Sequence, residues 1–434
     1  MSNKKVPLIW HTEQRIVDEL IPNDNNPRTL NDKQLSELKK SLKRFNLVEI
    51  PAIDTENRVI AGHQRLKVLQ LLGRGKEEID VRVPNRTLTQ TEYDQYLLTS
   101  NSVTGDWDFE KLKSFDVEFL LDVGFDGDEL NSVWAEHLKV DKEEFDEENE
   151  LEQIKKPKTK TGDLIALGHH RLICGDCTDI TVMERLCGSQ KPSMIYSDPP
   201  YNINLDYNKG IGGKQSYGGN VKDNLSYEQY YVFLGDTLGP ALDVSKPDTH
   251  VFYWCDQIYI GLVQELYMDF GVANKRVCLW IKNGQNPTPG VAFNKCYEPC
   301  VYGLRGKPYL SKAFQAYNEI MDQGVGNGNE LMEALDDVDV WAMKRLSGKD
   351  YEHPTSKPPE LHEKAIRRCT KPGDIILDSF GGSGSTLIAA EKLQRKAFLA
   401  EREPVFCDLI IKRFEKLTGI KAVYINREKG TSTG

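Results

Sequence analysis

Two short stretches concentrate residues able to do chemistry. The first is Asp198-Pro199-Pro200-Tyr201, preceded by Pro192-Ser193-Met194-Ile195-Tyr196-Ser197, which reads as a strand. Two prolines after a strand end fix the chain in an extended, rigid conformation and donate no hydrogen bonds. A carboxylate, open carbonyls and an aromatic ring are thereby locked at one strand end, where ligands sit in open α/β sheets. An exocyclic amine on a heterocycle is a poor nucleophile because its lone pair is delocalised. If its two N–H groups donate to the Asp198 carboxylate and the Pro199 carbonyl, the nitrogen becomes more tetrahedral and its lone pair is directed outward. This is catalysis by positioning and electrostatics, with no covalent enzyme intermediate. Tyr201 would stack on the ring that carries the amine.

The second stretch is Asp378-Ser379-Phe380-Gly381-Gly382-Ser383-Gly384-Ser385-Thr386. It follows a turn at Lys371-Pro372-Gly373-Asp374 and a short apolar strand, Ile375-Ile376-Leu377, and leads into a helix from Leu387 to Leu393. Strand, glycine loop and helix form the first unit of a doubly wound nucleoside-binding fold. Gly382 and Gly384 let backbone pass close to a ligand. Lys396 to Ala400 reads as the next strand, and Glu401 at its end can accept from ribose hydroxyls. The loop has no lysine in the phosphate-cradling position, which points to a ligand without a triphosphate.

These stretches need a scaffold. At 434 residues the chain is too long for one ordinary core, and two or three domains are expected. With 39% hydrophobic and 28% charged residues it is a soluble globular type. No apolar run approaches the roughly 20 residues of a membrane helix. Met1-Ser2-Asn3-Lys4-Lys5 is followed by no long apolar segment, so a cytoplasmic location without a secretion signal is expected. Nine scattered cysteines fit reduced thiols. Cys174, Cys177, Cys296 and Cys300 could make a four-thiolate zinc set, but the first pair sits inside another motif, and no metal is assigned.

The formal net charge of −10 is unevenly spread. Asp141 to Gln153 holds eight acids and one lysine, and Lys155, Lys156, Lys158 and Lys160 follow. Residues 141–161 therefore read as a charged linker. It separates an N-terminal domain (1–105) with a helical connector (106–140) from a C-terminal domain (162–434). In the first domain the pattern predicts strands at Arg15–Leu20, around Ile50–Asp54, from Val59, and at Ile79–Val83. A helix carries Leu35, Leu38 and Leu42 after an Asn31 cap, and another carries Leu66 to Leu72 and ends at Gly73. Residues 89–139 read as mostly helical.

Asn26-Pro27-Arg28, the helix after it, and Ile60-Ala61-Gly62-His63-Gln64-Arg65 resemble the N-terminal domain of chromosome-partitioning ParB-like proteins, over about the first hundred residues. The resemblance implies a phosphate or nucleotide site at Arg28, Gly62, His63 and Arg65. Leu66 and Lys67 depart from the arginine-rich box of the nucleotide-hydrolysing members. The plainer alternative is that Gly62 ends a strand and Arg65 pairs with an acid.

From Gly162 onward the chain resembles the amino-methyltransferases that act on adenine N6 or cytosine N4 of DNA, in their circularly permuted β-group order, because the Asp198 motif precedes the Phe380 motif. The resemblance implies a Rossmann-like doubly wound α/β fold, S-adenosylmethionine as methyl donor, and double-stranded DNA as partner with the target base flipped out. It makes Asp198, Pro199, Pro200 and Tyr201 catalytic, and Asp378, Phe380, Gly382, Gly384, Ser385, Thr386 and Glu401 cofactor-binding. His170 to Cys177 resembles the third cofactor strand, with Asp176 and Cys177 lining the adenine pocket. His353 to Pro358 resembles the segment closing over methionine, through Thr355 and Lys357. Trp280 to Asn283 and Tyr297-Glu298-Pro299 resemble the segment beside the target base, with no catalytic role assigned.

DNA contacts are expected from the loop Asn204–Val221 and from a recognition region at about 284–350, with Lys307, Lys312, Lys344, Arg345 and Lys349 as phosphate candidates. Adenine N6 is favoured, because cytosine enzymes of the family more often carry serine where Asp198 stands. Related protein-glutamine enzymes usually carry asparagine there. Cytosine N4, or a nucleotide-dependent DNA-binding protein with a vestigial catalytic fold, are the alternatives. A homodimer and a cognate restriction endonuclease are further expectations.

Overall fold

In the computed structural model the described residues are 7–23, 28–29, 32–101, 106–107, 112, 115, 117–122, 125–134, 138–141, 145–204, 223–286, 295–319, 321 and 357–425. The chain divides into two compact units, Met1–His137 and Leu138–Gly434.

The N-terminal unit holds strands β1 (Trp10–Ile16), β2 (Arg28–Thr29), β3 (Ala52–Ile53), β4 (Val59–Ala61), β5 (Glu78–Pro84) and β6 (Asp106–Trp107). Four of them form a mixed sheet in the order β1-β5-β3-β4, and β2 pairs with β6. Helices Asp32–Phe45, His63–Leu71 and Gln90–Asn101 fall where a helical pattern was expected. The first strand does not. It runs from Trp10 to Ile16, and residues Val17–Glu19 turn as a short 3-10 helix. As an outer strand its face to water is polar, so the sequence Trp-His-Thr-Glu-Gln-Arg-Ile lacks the apolar alternation that would reveal it. Val17, Ile53, Val59, Leu66, Leu69, Ile79 and Val81 make the core beneath the sheet.

The C-terminal unit is built on nine strands: β7 (Leu164–Leu167), β8 (His170–Cys174), β9 (Met194–Ser197), β10 (Thr249–Trp254), β11 (Ala273–Asn286), β12 (Lys295–Arg305), β13 (Ile375–Asp378), β14 (Lys396–Glu401) and β15 (Val423–Tyr424). Their order is β11-β12-β10-β9-β13-β14-β8-β7-β15. The five central strands, from β10 to β8, pair in parallel. Such strands are covered on both faces and read as continuous apolar runs.

Their side chains alternate between two cores. Leu172, Met194, Tyr196, Trp254, Ile376 and Leu399 point to one face, with residues of helices Glu363–Cys369, Ser385–Lys392 and Pro404–Thr418. Ile173, Ile195, Tyr253, Leu377 and Phe398 point to the other, with helices Ile180–Cys187, Tyr227–Val244 and Ile260–Asp269. The doubly wound, permuted fold expected from the motif order is therefore present. β13 continues into a helix on one face and β9 into a helix on the other. The crevice between them is the topological switch point, where such sheets bind ligands.

Residues 145–161 are not a free linker. Glu147–Glu152 is a helix capped by the Asp146 side chain. Glu147 pairs with Arg413, and Glu150 with Lys412 and Lys416, on helix Pro404–Thr418. Asp408 accepts from the backbone N–H groups of Lys158 and Thr159. Val140 is buried in the first core, and its N–H donates to Glu363. Glu147 and Glu150 of the acidic block are held by basic residues some 260 positions later in the chain, a pairing that no local window of sequence displays. Among the described residues no helix is long and apolar enough to cross a membrane.

Candidate active site

The C-terminal ends of β8, β9, β13 and β14 open on one cavity of about 920 Å3. That is within the roughly 300–1,000 Å3 usual for small-molecule sites. Asp198, Pro199, Pro200 and Tyr201 line it, with Asp176, Cys177, Lys357, Asp378, Phe380, Gly382, Ser385, Thr386 and Glu401. All but two of the expected catalytic and cofactor residues thus converge. Thr355 lies outside the described residues, and Gly384 has a different task.

Gly384 stands at φ 83°, immediately before helix Ser385–Lys392, and a Cβ there would meet Ile410 at 3.1 Å. Its glycine is required by the left-handed turn and by packing, not by approach to a ligand. Gly382, at φ 50°, donates its N–H to Glu401 Oε2 at 2.8 Å. The other carboxylate oxygen of Glu401 accepts from Glu403 N at 2.8 Å. Glu401 therefore ties the glycine loop to the start of the next helix. Burial raises its pKa to about 7 against these two bonds. Burial likewise raises Asp378 to about 7, although the N–H of Phe380 donates to it. Cys177 is buried, which pushes its thiol far above the ordinary range and keeps it protonated. Among the described residues no group of three or more His, Cys, Asp or Glu is placed to hold a metal ion.

At the other end of the cavity Asp198 is held by two donors. Tyr201 Oη donates to Oδ1 at 2.8 Å, and Lys357 Nζ to Oδ2 at 2.5 Å. Lys357 also donates to Tyr201 Oη at 2.9 Å and lies 3.6 Å from Glu298 Oε2. Its ammonium sits 4.7 Å from the centre of the Trp254 ring. Burial opposes the charge on Lys357, but Asp198 and Glu298 outweigh it and its pKa is raised. Lys357, expected at the methionine part of the cofactor, is an ion-pair partner of Asp198 and also lines the cavity. The Pro200 carbonyl accepts from Tyr230 Oη at 2.8 Å, so this carbonyl anchors the tetrapeptide. Asp223 receives the N–H groups of Asn202 (2.7 Å) and Ile203 (3.2 Å) and fixes the chain as it leaves Tyr201.

Sequence reasoning gave no role to Glu298 and did not single out His362. Glu298 on β12 faces Trp280 on β11 in the pairing register, and it brings a second carboxylate to Lys357. His362 bridges the two halves of the site: Nδ1 meets Tyr196 Oη at 3.0 Å and Nε2 meets Ser385 Oγ at 2.9 Å. Burial lowers its pKa to about 3, so it is a neutral spacer between β9 and the helix after the glycine loop. A lone histidine five positions after Lys357 carries no motif. Glu298 belongs to the segment expected beside the target base, but nothing in that resemblance gave it Lys357 as a partner.

The expected recognition region lies partly outside the described residues, as do 205–222 of the loop after Asn204 and the phosphate candidates Lys344, Arg345 and Lys349. Lys307 and Lys312 are exposed. In the N-terminal unit, Gly62 at φ 97° begins helix His63–Leu71. Burial lowers the pKa of His63 to about 4, and Arg65 pairs with Glu49. Arg28 belongs to β2, and its side chain lies outside the described residues.

A glycine loop and an Asp-Pro-Pro-Tyr strand end across one switch point define a doubly wound enzyme of the permuted amino-methyltransferase type. The chain belongs to the N6/N4 DNA methylase family, whose profile matches residues 193–412. The Type II methyltransferase M2.DpnII of Streptococcus pneumoniae is 29% identical over 238 residues, covering 51% of this chain and 82% of that protein. The crystal structure of the M1.HpyAVI–SAM complex shares 20% identity, with 56% of this chain and 98% of that chain covered and a TM-score of 0.37. A Pnob8-like ParB-N domain structure shares 18% identity, with 30% of this chain and 48% of that chain covered and a TM-score of 0.21.

Proposed function

We propose that this DNA methylase transfers a methyl group from S-adenosylmethionine to the N6 amine of adenine within a specific sequence of double-stranded DNA. The observation that carries the reading is the position of Asp198. Its carboxylate stands at the end of β9, in the same cavity as the Asp378–Gly384 loop of β13 and Glu401 of β14.

The buried acids Asp378 and Glu401 suit a cationic nucleoside rather than a phosphate. When bound, S-adenosylmethionine supplies a methyl group on a positively charged sulfur. The chain supplies the rest. Glu401 accepts ribose hydroxyls, and Asp176 and Cys177 border the adenine. Asp198 accepts one N–H of the target amine and the Pro199 carbonyl the other, since Tyr230 occupies the Pro200 carbonyl. Tyr201, with its hydroxyl anchored on Asp198 and Lys357, offers a fixed ring for the flipped base. Lys357 balances the charges of Asp198 and Glu298.

Aspartate rather than serine at position 198 supports adenine over cytosine N4. Mass spectrometry of nucleosides from DNA treated with the protein tests this: N6-methyladenine is expected, and methylcytosine alone overturns it. Sequencing the modified positions gives the recognition site. A cytoplasmic homodimer with a paired endonuclease remains part of this proposal, and light scattering of the purified chain checks the dimer.

For the N-terminal unit the proposal is a ParB-like phosphate or nucleotide site at Arg28, Gly62, His63 and Arg65. The left-handed Gly62 at a helix start favours it. Binding of CTP by the full chain is the test, and tight CTP binding without any S-adenosylmethionine binding would instead favour a vestigial catalytic fold.

A further inference from the structure

The short helix Glu147–Glu152 precedes the part of the chain matched by the family and takes no part in the chemistry above. Yet Glu147 and Leu151 line the same cavity as Ser383, Ser385 and Thr386. Glu147 is only 6% exposed. Its Oε1 accepts from Arg413 Nη1 at 2.6 Å. The same nitrogen donates to the Ser383 carbonyl at 3.0 Å and to Ser383 Oγ at 3.1 Å, which fixes Glu147 against the glycine loop. Its Oε2 is buried with no hydrogen-bond partner among the described residues.

A buried carboxylate oxygen without a donor is costly, and in a cavity wall it marks the place of a ligand's donor. A second feature says which donor. Helix Ser385–Lys392 starts from Gly384, which has no side chain to cap its first turn. Uncapped N–H groups at a helix start, opening on a cavity, suit a carboxylate. An α-amino acid carries its ammonium one carbon from its carboxylate. An anion-accepting helix start beside a buried acid is therefore complementary to a zwitterion.

We propose that Glu147 is a cofactor-binding residue that receives the α-ammonium of the methionine part of S-adenosylmethionine, while the carboxylate of that part faces the first turn of helix Ser385–Lys392. Arg413 is the positioning residue that holds Glu147. The proposal rests on reading this cavity as the S-adenosylmethionine site. It makes the acidic segment before the methylase domain a working part of the cofactor pocket.

Equilibrium calorimetry on the full chain tests it with three ligands: S-adenosylmethionine, S-adenosylhomocysteine, and 5′-methylthioadenosine, which lacks the amino-acid part. Glu147→Gln should weaken the first two by roughly 10–100-fold. It should leave 5′-methylthioadenosine within about twofold, which also reports an intact fold and adenosine pocket. Glu147→Asp, which keeps the charge, should retain part of the preference for S-adenosylmethionine over 5′-methylthioadenosine. Equal loss for all three ligands means that Glu147 only braces the loop, and overturns the proposal, as does no loss for any. Wild-type protein that binds none of the three overturns the reading of the cavity itself.

Discussion

At Gly62 and again at Gly384 a strand leads to a left-handed glycine from which a helix begins, with φ of 97° and 83°. Each glycine is also pressed by a neighbour, Pro51 at the first and Ile410 at the second, so a side chain fits neither. The surroundings differ. Around Gly62 stand His63, held neutral by burial, and Arg65, paired with Glu49, and β4 is an outermost strand of its sheet. Around Gly384 stand Glu147, Asp378 and Glu401, all buried, beside the crevice between β13 and β9. The glycine turn is a structural device common to both. The charge and burial of what surrounds it differ between the two corners.

The largest effect that could break this contrast is at the catalytic end. Asp198→Ala should lower turnover by about 10²–10³-fold or more, as removal of one preorganised electrostatic group does. Affinity for S-adenosylmethionine, read by calorimetry, should stay nearly unchanged. Equal loss of both would make Asp198 part of the cofactor pocket.

Next is the cation at that end. Lys357→Met leaves Asp198 and Glu298 without their shared partner and should cost about 3 kcal/mol of stability in denaturant unfolding. The double variant Lys357→Met with Glu298→Gln should lose less than the sum of the two. Strict additivity would mean that the cluster has no coupling.

The two glycines can be compared directly. Gly62→Ala and Gly384→Ala should each cost about 1–2 kcal/mol from backbone strain. Only Gly384→Ala should weaken binding of S-adenosylmethionine. A comparable loss from Gly62→Ala would dissolve the distinction between the corners.

The smallest effect is a pH dependence. Glu401 and Asp378 are raised to about 7, so both are mostly charged at pH 8 and mostly protonated at pH 6. Ribose hydroxyls and a sulfonium favour the charged forms. Affinity should therefore fall as pH drops from 8 to 6, by at most about tenfold over that whole range for each group. The unliganded fold should gain stability over the same descent, because raised acids bind protons more tightly folded than unfolded. Glu401→Gln should flatten the affinity profile, and an unchanged slope would remove Glu401 from the pocket.

The central strands β9, β13 and β14 were legible in the sequence because each is a short, mostly apolar run ending at a chemically loaded residue, and β8 was placed by its resemblance to a cofactor strand of the family. The outer strand β1 was not, since half its face meets water. Lys357 was identified as a site residue but given the cofactor as its partner. Its pairing with Asp198 and Glu298 joins three segments far apart in the chain. The acidic block 141–153 was read as linker because composition reports charge but not the basic helix face that meets Glu147 and Glu150.

By itself the sequence determined the chemistry at hand: a carboxylate locked by two prolines, a glycine loop without a phosphate lysine, and an acid at the next strand end. These are local, because backbone restriction and strand periodicity act over a few residues. The tertiary structure alone decided which groups share the cavity. It put Lys357 and Glu298 on Asp198, His362 between Tyr196 and Ser385, and Glu147 against Ser383. Those partnerships depend on burial and on the order of strands in the sheet, and neither is written in any one stretch of chain.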